Sequence, residues 1–346
     1  MLKESEIKEI KKIIENSENP IIYYDNDADG LCSYLLYKKH FEKGTGIRMA
    51  NTRTLGEDHL RKARELGADL AIMLDIADIP QDFIDGLEVP VLWIDHHPPI
   101  KRNKVQYFNP RIHDPKIYIS TSTLMYQITK KDIWLAAAGA VSDWEYPSYI
   151  KEFDKEYPGL VDLKIKKPDD LLYKSKLGDL IAVLTYLLKG LDSEVRKSVA
   201  ALLKINDPYE ILEEKSEKGK FLKKRAGRYQ AKYKLILERL LKEEAIDGIL
   251  VFYYQDDQDS FTFNLANESS HKKPKDFIIV AREKSGEIKM SIRWQTGNIK
   301  PILEKALAQV NGFGGGHEHA CGAVVKVDVF DRFLDAIKEE LAIVKK

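Results

Sequence analysis

The sequence is poor in sulfur, has no excess of either charge and has no long apolar run. Its only cysteines, Cys32 and Cys321, exclude a disulfide framework, and each sits in an apolar or glycine-rich segment that suits a buried free thiol. Lys plus Arg equals Asp plus Glu, 55 each, so net charge draws the chain to no polyanion. Any nucleic-acid binding must then come from a local patch. No apolar stretch reaches membrane-spanning length. Met1 to Glu15 reads as an amphipathic Lys/Glu/Ile helix rather than a signal peptide. These absences lead us to expect a soluble, cytoplasmic protein with no membrane partner.

What is present is enough apolar sequence for more than one core. With 346 residues and a hydrophobic fraction of 44%, two domains are the starting expectation. From residue 20 to about 145, apolar strands alternate with helical patterns. Strands are expected at Ile21–Tyr24, Ile47–Thr52, Leu70–Leu74, Val89–Ile94 and, as an edge, Val105–Phe108. Helices are expected at Leu31–His40, Glu57–Leu66, Gln81–Leu87, Thr121–Thr129 and Asp132–Val141. Strands apolar on both faces and separated by helices indicate a parallel α/β sheet. Such sheets bind ligands beyond the carboxyl ends of their strands.

Those carboxyl ends carry an unusual set of residues. Asp25-Asn26-Asp27-Ala28-Asp29-Gly30 follows the first strand, Asp75 follows the strand from Leu70, and Asp95-His96-His97 follows the strand from Val89. Asp143 ends the apolar helix Ala136–Val141. Carboxylates at alternate positions repel one another and rise in pKa unless a cation sits among them. A divalent metal explains the cluster economically, and Gly30 lets the backbone close tightly beside it.

Residues 147–245 read as a helical linker or insertion, with patterns at Leu180–Leu188, Val195–Leu203 and Tyr209–Leu241. Lysines and arginines from Lys215 to Lys234, with Tyr229 and Tyr233 among them, read first as a solvated helix face and second as a phosphate-tracking surface. Residues 246–346 begin a second α/β pattern. Strands are expected at Ile249–Tyr254, Phe277–Ala281, Glu287–Arg293 and Ala323–Val329, and helices at Ile299–Val310 and Phe330–Val344. The run Gly312-Phe313-Gly314-Gly315-Gly316-His317 reads as a glycine loop with exposed backbone N–H groups, as in anion-binding nests.

Asp and His ligands without thiolates suit Mn²⁺ or Mg²⁺, and histidine tilts the choice towards Mn²⁺. Two ions would be balanced by Asp27, Asp29, Asp75 and Asp143, with Asp25 adding a further negative charge. Receiving a phosphate would then need more cations. Arg293 and His317 are the candidates, which would set the cleft between the domains.

In order, Asp25-x-Asp27-x-Asp29-Gly30, Asp75, Asp95-His96-His97 and Asp143 resemble motifs I to IV of the DHH phosphoesterase superfamily. Gly314-Gly315-Gly316-His317 resembles the signature of its C-terminal DHHA1 domain. The resemblance covers roughly residues 20–145 and 246–330 and is nearest in kind to the archaeal RecJ-like nucleases. It implies a DHH domain over 1–146, the helical segment 147–245, and a smaller DHHA1 substrate-binding domain over 246–346. It also implies two divalent ions, Mn²⁺ first, with Mg²⁺ or Co²⁺ as alternatives. Asp27 and Asp75 would hold one ion, with Asp75 bridging; Asp29, His96 and Asp143 would complete the second. His97 would contact the scissile phosphate or protonate the leaving oxygen, and Asp95 would orient the histidine pair. Arg293, Gly315, Gly316, His317 and Asn109 would meet substrate. Asp25 stands where many members carry His and where bacterial RecJ proteins often carry Asp, which leaves the first ion's shell open.

The function this implies is an exonuclease on single-stranded DNA or RNA that releases nucleoside 5′-monophosphates. Replication or repair partners such as GINS or a helicase are implied alongside. The alternatives are a phosphodiesterase for short oligonucleotides or cyclic dinucleotides, and a non-catalytic replication or repair scaffold. His40, His59, His113 and His271 read as surface or packing residues. Trp93 and Trp134 read as core, and His319 as either a structural residue or a substrate contact. Trp144 and Tyr146, beside Asp143, could stack on a base or pack over the interdomain hinge.

Overall fold

The computed structural model describes residues 1–49, 55–255 and 259–344. The chain divides into two compact units, Met1–Gly227 and Arg228–Lys346.

In the first unit, α1 (Glu4–Asn16) precedes β1 (Pro20–Asp25), α2 (Ala28–Phe41) and β2 (Thr45–Met49). Then come α3 (Glu57–Glu65), β3 (Leu70–Leu74), α4 (Gln81–Gly86), β4 (Val91–Ile94) and β5 (Val105–Phe108). The helices α5 (Thr121–Thr129) and α6 (Ile133–Ser142) follow. The five strands form one parallel sheet in the order β2-β1-β3-β4-β5. The residues explain the elements. β1, β3 and β4 are built from Ile, Leu, Val, Met and aromatic side chains and are buried on both faces, as crossover helices require. On one face Ile21, Tyr23, Met73 and Trp93 pack with Leu60 and Ala63 of α3 and Phe83 and Ile84 of α4. α2 packs against α5 and α6. The strand order reverses between β1 and β3, so their carboxyl ends flank the switch point where such sheets bind ligands.

The helical middle starts with α7 (Ile150–Glu156), α8 (Pro168–Lys174), α9 (Lys176–Leu187) and α10 (Asp192–Leu202). The single long helix expected over Tyr209–Leu241 is in fact two, α11 (Pro208–Leu212) and α12 (Glu217–Lys242). Glu214 breaks the run by taking a left-handed conformation, φ 55°. The Ser216 hydroxyl then accepts from Gly219 N at 3.1 Å and starts the new helix. The division between the units falls inside α12.

The second unit holds β6 (Ile249–Gln255), α13 (Thr262–Lys272), β7 (Phe277–Lys284), β8 (Glu287–Arg293) and α14 (Ile299–Ala308). β9 (Phe313–His317), β10 (Ala320–Lys326) and α15 (Phe330–Val344) complete it. Its sheet is mixed, in the order β6-β7-β8-β10-β9, over a core that includes Phe277, Ile292, Trp294 and Phe333. The glycine run departs from the loop expected. It is the extended edge strand β9, paired antiparallel with β10 from Phe313↔Val324 to His317↔Ala320, and it is exposed along its length. An extended strand does not form the alternating turn of a nest.

Two smaller differences follow from local chemistry. β2 begins at Thr45, two residues earlier than expected, and the Ala50–Thr52 part of that expected strand lies outside the described residues. β10 begins at Ala320 and gives way to a 3-10 turn, Val327–Val329. Cys32 and Cys321 are both buried free thiols, and Trp93 and Trp134 are fully buried. No described helix is long and apolar enough to cross a membrane.

α6 approaches α5 where Gly139 has no side chain. A Cβ there would run into the Ser122 hydroxyl and stand 2.9 Å from Asp29 Oδ1. We expect Gly139→Ala to destabilise the protein by about 1–3 kcal/mol, as overpacking of a dense core does. Urea unfolding would measure it, and an unchanged midpoint would contradict this packing.

Candidate metal centre

The acidic residues at the switch point are brought together by element ends. Asp25 is the last residue of β1. Asp27 is the N-cap of α2, its carboxylate accepting from Gly30 N at 2.8 Å, and Asp29 stands in that helix's first turn. Gly30 serves close approach rather than a left-handed turn: a Cβ there would stand 2.6 Å from Asp25 O. Asp75 follows β3 at φ 61°, a strained conformation for a residue with a side chain. His96 and His97 follow β4, and Asp143 caps the end of α6.

Three groups at this edge have ligand atoms within 4.8 Å of one another: Asp25, Asp27 and Asp75; Asp29, His96 and Asp143; and Asp75, His96 and His97. His96 Nε2 lies 3.4 Å from Asp75 Oδ1 and 3.2 Å from Asp143 Oδ2. Neither ring nitrogen of His96 has a hydrogen-bond partner among the described residues, although both are buried. A buried nitrogen without a partner, facing two carboxylates, fits a metal ligand. Burial also lowers the His96 pKa, which favours the neutral, ligating imidazole. The donors are oxygen and imidazole, with no thiolate, so the set suits Mn²⁺ or Mg²⁺.

The carboxylates are costly to hold together. Burial first, and neighbouring carboxylates next, push Asp25, Asp75 and Asp143 above the ordinary carboxylate range. Asp27 is pushed up to about 7 by loss of solvent and by the charges of Asp25 and Asp29. Its side chain keeps an exposed surface, so the two neighbouring charges are the firmer cause.

Asp95 is fully buried. Its Oδ1 meets His97 Nδ1 at 2.8 Å, and its Oδ2 accepts from His97 N at 3.0 Å and from the Tyr107 hydroxyl at 3.1 Å. Burial pulls the His97 pKa down, but the hydrogen bond and charge of Asp95 outweigh it and hold the ring near 9. Asn109, expected at the substrate, is buried and engaged within the protein. Its amide nitrogen lies 3.3 Å from Asp95 Oδ2 and donates to His97 O at 2.9 Å, and its Oδ1 accepts from Arg111 N.

In the second unit Arg293 is buried, and its Nε donates to Asn267 Oδ1 at 2.6 Å. His317 lies exposed on β9 with Gly315 and Gly316. His319 has a structural place, with Nδ1 3.1 Å from Trp294 O and 3.0 Å from Gly297 O. Beside Asp143, the Tyr146 hydroxyl donates to Ile165 O, and Trp144 packs edge-on to Tyr173.

Several residues at the centre carry no motif. Thr121 N and Ser122 N donate to the two oxygens of Asp29 at 2.8 and 2.9 Å, and the Thr121 hydroxyl donates to Asp75 Oδ1 at 3.0 Å. The Tyr118 hydroxyl lies 2.9 Å from Asp143 Oδ2, and its ring meets His96 edge-on at 5.5 Å. The run Ser120-Thr121-Ser122-Thr123 is the one sequence signal that marked this place, since Ser and Thr favour helix starts.

The model of the DHH family, N-terminal domain, matches residues 19–157, and that of the DHHA1 domain matches residues 238–342. No curated protein matches the chain significantly. Among solved structures, the chain is similar to RecJ in complex with Mn²⁺ from Thermus thermophilus, with 15% identity and TM-score 0.69, over 99% of this chain and 55% of that one. It thus spans about half the length of that relative. It is similar to an exonuclease RecJ bound to manganese, with 16% identity and TM-score 0.65, over 99% and 95% of the two chains. It is also similar to a pGpG-specific phosphodiesterase from Vibrio cholerae, with 14% identity and TM-score 0.52, over 94% and 99%. At these identities the likeness is one of fold.

Carboxylates whose pKa is raised by folding hold protons more tightly in the folded state than in the unfolded one. Their contribution is present below the unfolded value, about 4, and is lost as pH rises towards the folded values, about 7 for Asp27. In EDTA the melting temperature of the protein should therefore fall between pH 5 and pH 8. Saturating Mn²⁺ at pH 8 should raise it again, since a ligand at 100 times its Kd stabilises by about 2.7 kcal/mol. A pH-independent melting temperature that Mn²⁺ does not move would contradict the metal centre.

Proposed function

The chain belongs to the DHH/DHHA1 phosphoesterase superfamily, and on that premise we propose that it is a Mn²⁺-dependent exonuclease that degrades single-stranded DNA or RNA to nucleoside 5′-monophosphates. The observation that carries this reading is the convergence of Asp25, Asp27 and Asp75 with Asp29, His96 and Asp143 beside the Asp95–His97 pair. The first three would hold one ion and the second three the other, with Asp75 shared. Bound divalent ions supply Lewis acidity toward a phosphate and lower the pKa of the attacking water.

The chain's own residues do the rest. His97, held by Asp95 through Nδ1, presents Nε2 to the phosphate or to the leaving oxygen, with a proton at neutral pH. Asp95 fixes that ring's tautomer and orientation. Arg111 follows Asn109-Pro110, and its guanidinium makes no hydrogen bond or ion pair among the described residues. Its charge is felt at His96, so it adds a cation for the incoming phosphate. His317, Gly315 and Gly316 on the exposed edge strand, and Arg293, are the substrate contacts of the second unit in this reading.

A second reading keeps the chemistry and shortens the substrate. The pGpG-specific phosphodiesterase matches over 99% of its own length, which favours a dinucleotide or short oligonucleotide.

Two experiments test these readings. Single strands of DNA and RNA of increasing length, labelled at either end, should be shortened stepwise with Mn²⁺ present. Asp75→Ala should lower kcat by about 10³-fold or more, because both ions depend on that carboxylate. Turnover confined to dinucleotides would select the second reading, and full activity in the variant would rule out the paired-ion arrangement. Asp95→Asn should remove the charge that keeps His97 protonated. The alkaline limb of kcat should then move down by about one to two pH units, towards the ordinary histidine value of about 6.5. An unmoved limb would remove His97 from proton transfer.

A further inference from the structure

Both proposed ligand groups touch the N-terminus of α5. Asp29 belongs to one group and takes Thr121 N and Ser122 N on its two oxygens. Asp75 belongs to the other and takes the Thr121 hydroxyl on Oδ1. One turn of one helix therefore sets the orientation of a carboxylate in each group. The positive end of the helix also offsets part of their negative charge.

That turn is itself anchored from behind. Ser120, the N-cap, accepts from Thr123 N at 3.2 Å. Three donors then converge on a single oxygen, Glu145 Oε2: Ser120 N at 2.8 Å, Ser120 Oγ at 2.7 Å and Thr123 Oγ1 at 2.8 Å. Thr123 Oγ1 also lies 2.8 Å from the Tyr149 hydroxyl. Glu145, Ser120 and Thr123 are all buried. A buried carboxylate that spends one oxygen on three donors from a single helix start holds that start in place. Glu145 also lies just beyond Asp143, the end of α6, so its anchor runs back to a third ligand's segment.

We propose that Thr121 and Glu145 are positioning residues that couple the two metal-binding groups, Thr121 by direct orientation of Asp75 and Glu145 by locking the α5 N-terminus that holds Asp29. The proposal rests on the metal-centre reading above. It assigns to each residue one atom: the Thr121 hydroxyl, and one acceptor oxygen on Glu145.

The test is Mn²⁺ binding, followed by calorimetric titration and by the electron paramagnetic resonance signal of free Mn²⁺, on wild type and four variants of the full chain. Thr121→Val keeps the shape and removes the hydroxyl; it should weaken Mn²⁺ binding about 10–100-fold, as loss of a partner behind a metal ligand does. Thr121→Ser should restore binding close to wild type. Glu145→Ala should weaken binding to a similar extent, whereas Glu145→Gln, whose amide oxygen can accept the same three donors, should retain most of it. Circular dichroism melts in EDTA accompany each variant, and the nearly isosteric Thr121→Val answers the question if Glu145→Ala fails to fold. If wild type binds Mn²⁺ and Thr121→Val binds it equally well, the positioning role is overturned while the metal centre stands. If Thr121→Ser binds as weakly as Thr121→Val, packing rather than the hydroxyl is responsible, and the role is likewise overturned. If wild type itself binds no Mn²⁺, the metal centre falls and this proposal with it.

Discussion

Five aspartates crowded at one edge of a sheet are the constraint on which the first unit depends. Asp25, Asp27, Asp29, Asp75 and Asp143 lie among one another with His96 between them. Their charges would drive the ends of β1, β3 and α6 apart if nothing opposed them. The protein opposes them with what each element end provides. The start of α2 receives Asp27, and the start of α5 receives both oxygens of Asp29. Tyr118 bonds Asp143, and Thr121 bonds Asp75. The residual excess of negative charge is what makes the place attractive to divalent ions.

The same constraint separates the surroundings of the two adjacent histidines. His96 has no hydrogen-bond partner among the described residues and a pKa lowered by burial, which suits a metal ligand. His97 is gripped at Nδ1 by a buried carboxylate, whose bond and charge raise its pKa to about 9. The two are neighbours in sequence, but adjacent residues beyond a strand point differently, and only one of them meets Asp95. Asn109 and Tyr107 complete the grip on Asp95 from β5 and the turn after it. Of the two rings, the one that Asp95 bonds is that of His97.

Much of this was legible from residue types. The strands of the first sheet stood out because they are apolar on both faces, and their ends carried the acidic residues at the positions where open parallel sheets bind ligands. Trp93 and Trp134 lay in apolar runs and are core. The misjudged places share a cause. The three consecutive glycines of that run have no side chains to reveal a strand, and its extended form is imposed by pairing with the neighbouring β10. The break at Glu213–Ser216 lies in a stretch of good helix formers, where a left-handed residue and a serine cap outweigh propensity. The backbone N–H groups of Thr121 and Ser122 could not be foreseen, since every residue but proline has one and only the fold aims it.

By itself, the sequence determined the class of fold, the two α/β patterns and the identity of the acidic and histidine residues beyond the strands. Those properties are local: they follow from side-chain polarity, its period along the chain, and where strands end. The tertiary structure alone decided which carboxylate each helix start would hold, which histidine Asp95 would bond, and which groups Asn109 would bond. These depend on donors and acceptors from segments far apart in the chain being brought together, as Thr121 N is brought to 2.8 Å from Asp29. Packing of α2 against α5 and α6 does that, and no local pattern of residue types encodes it.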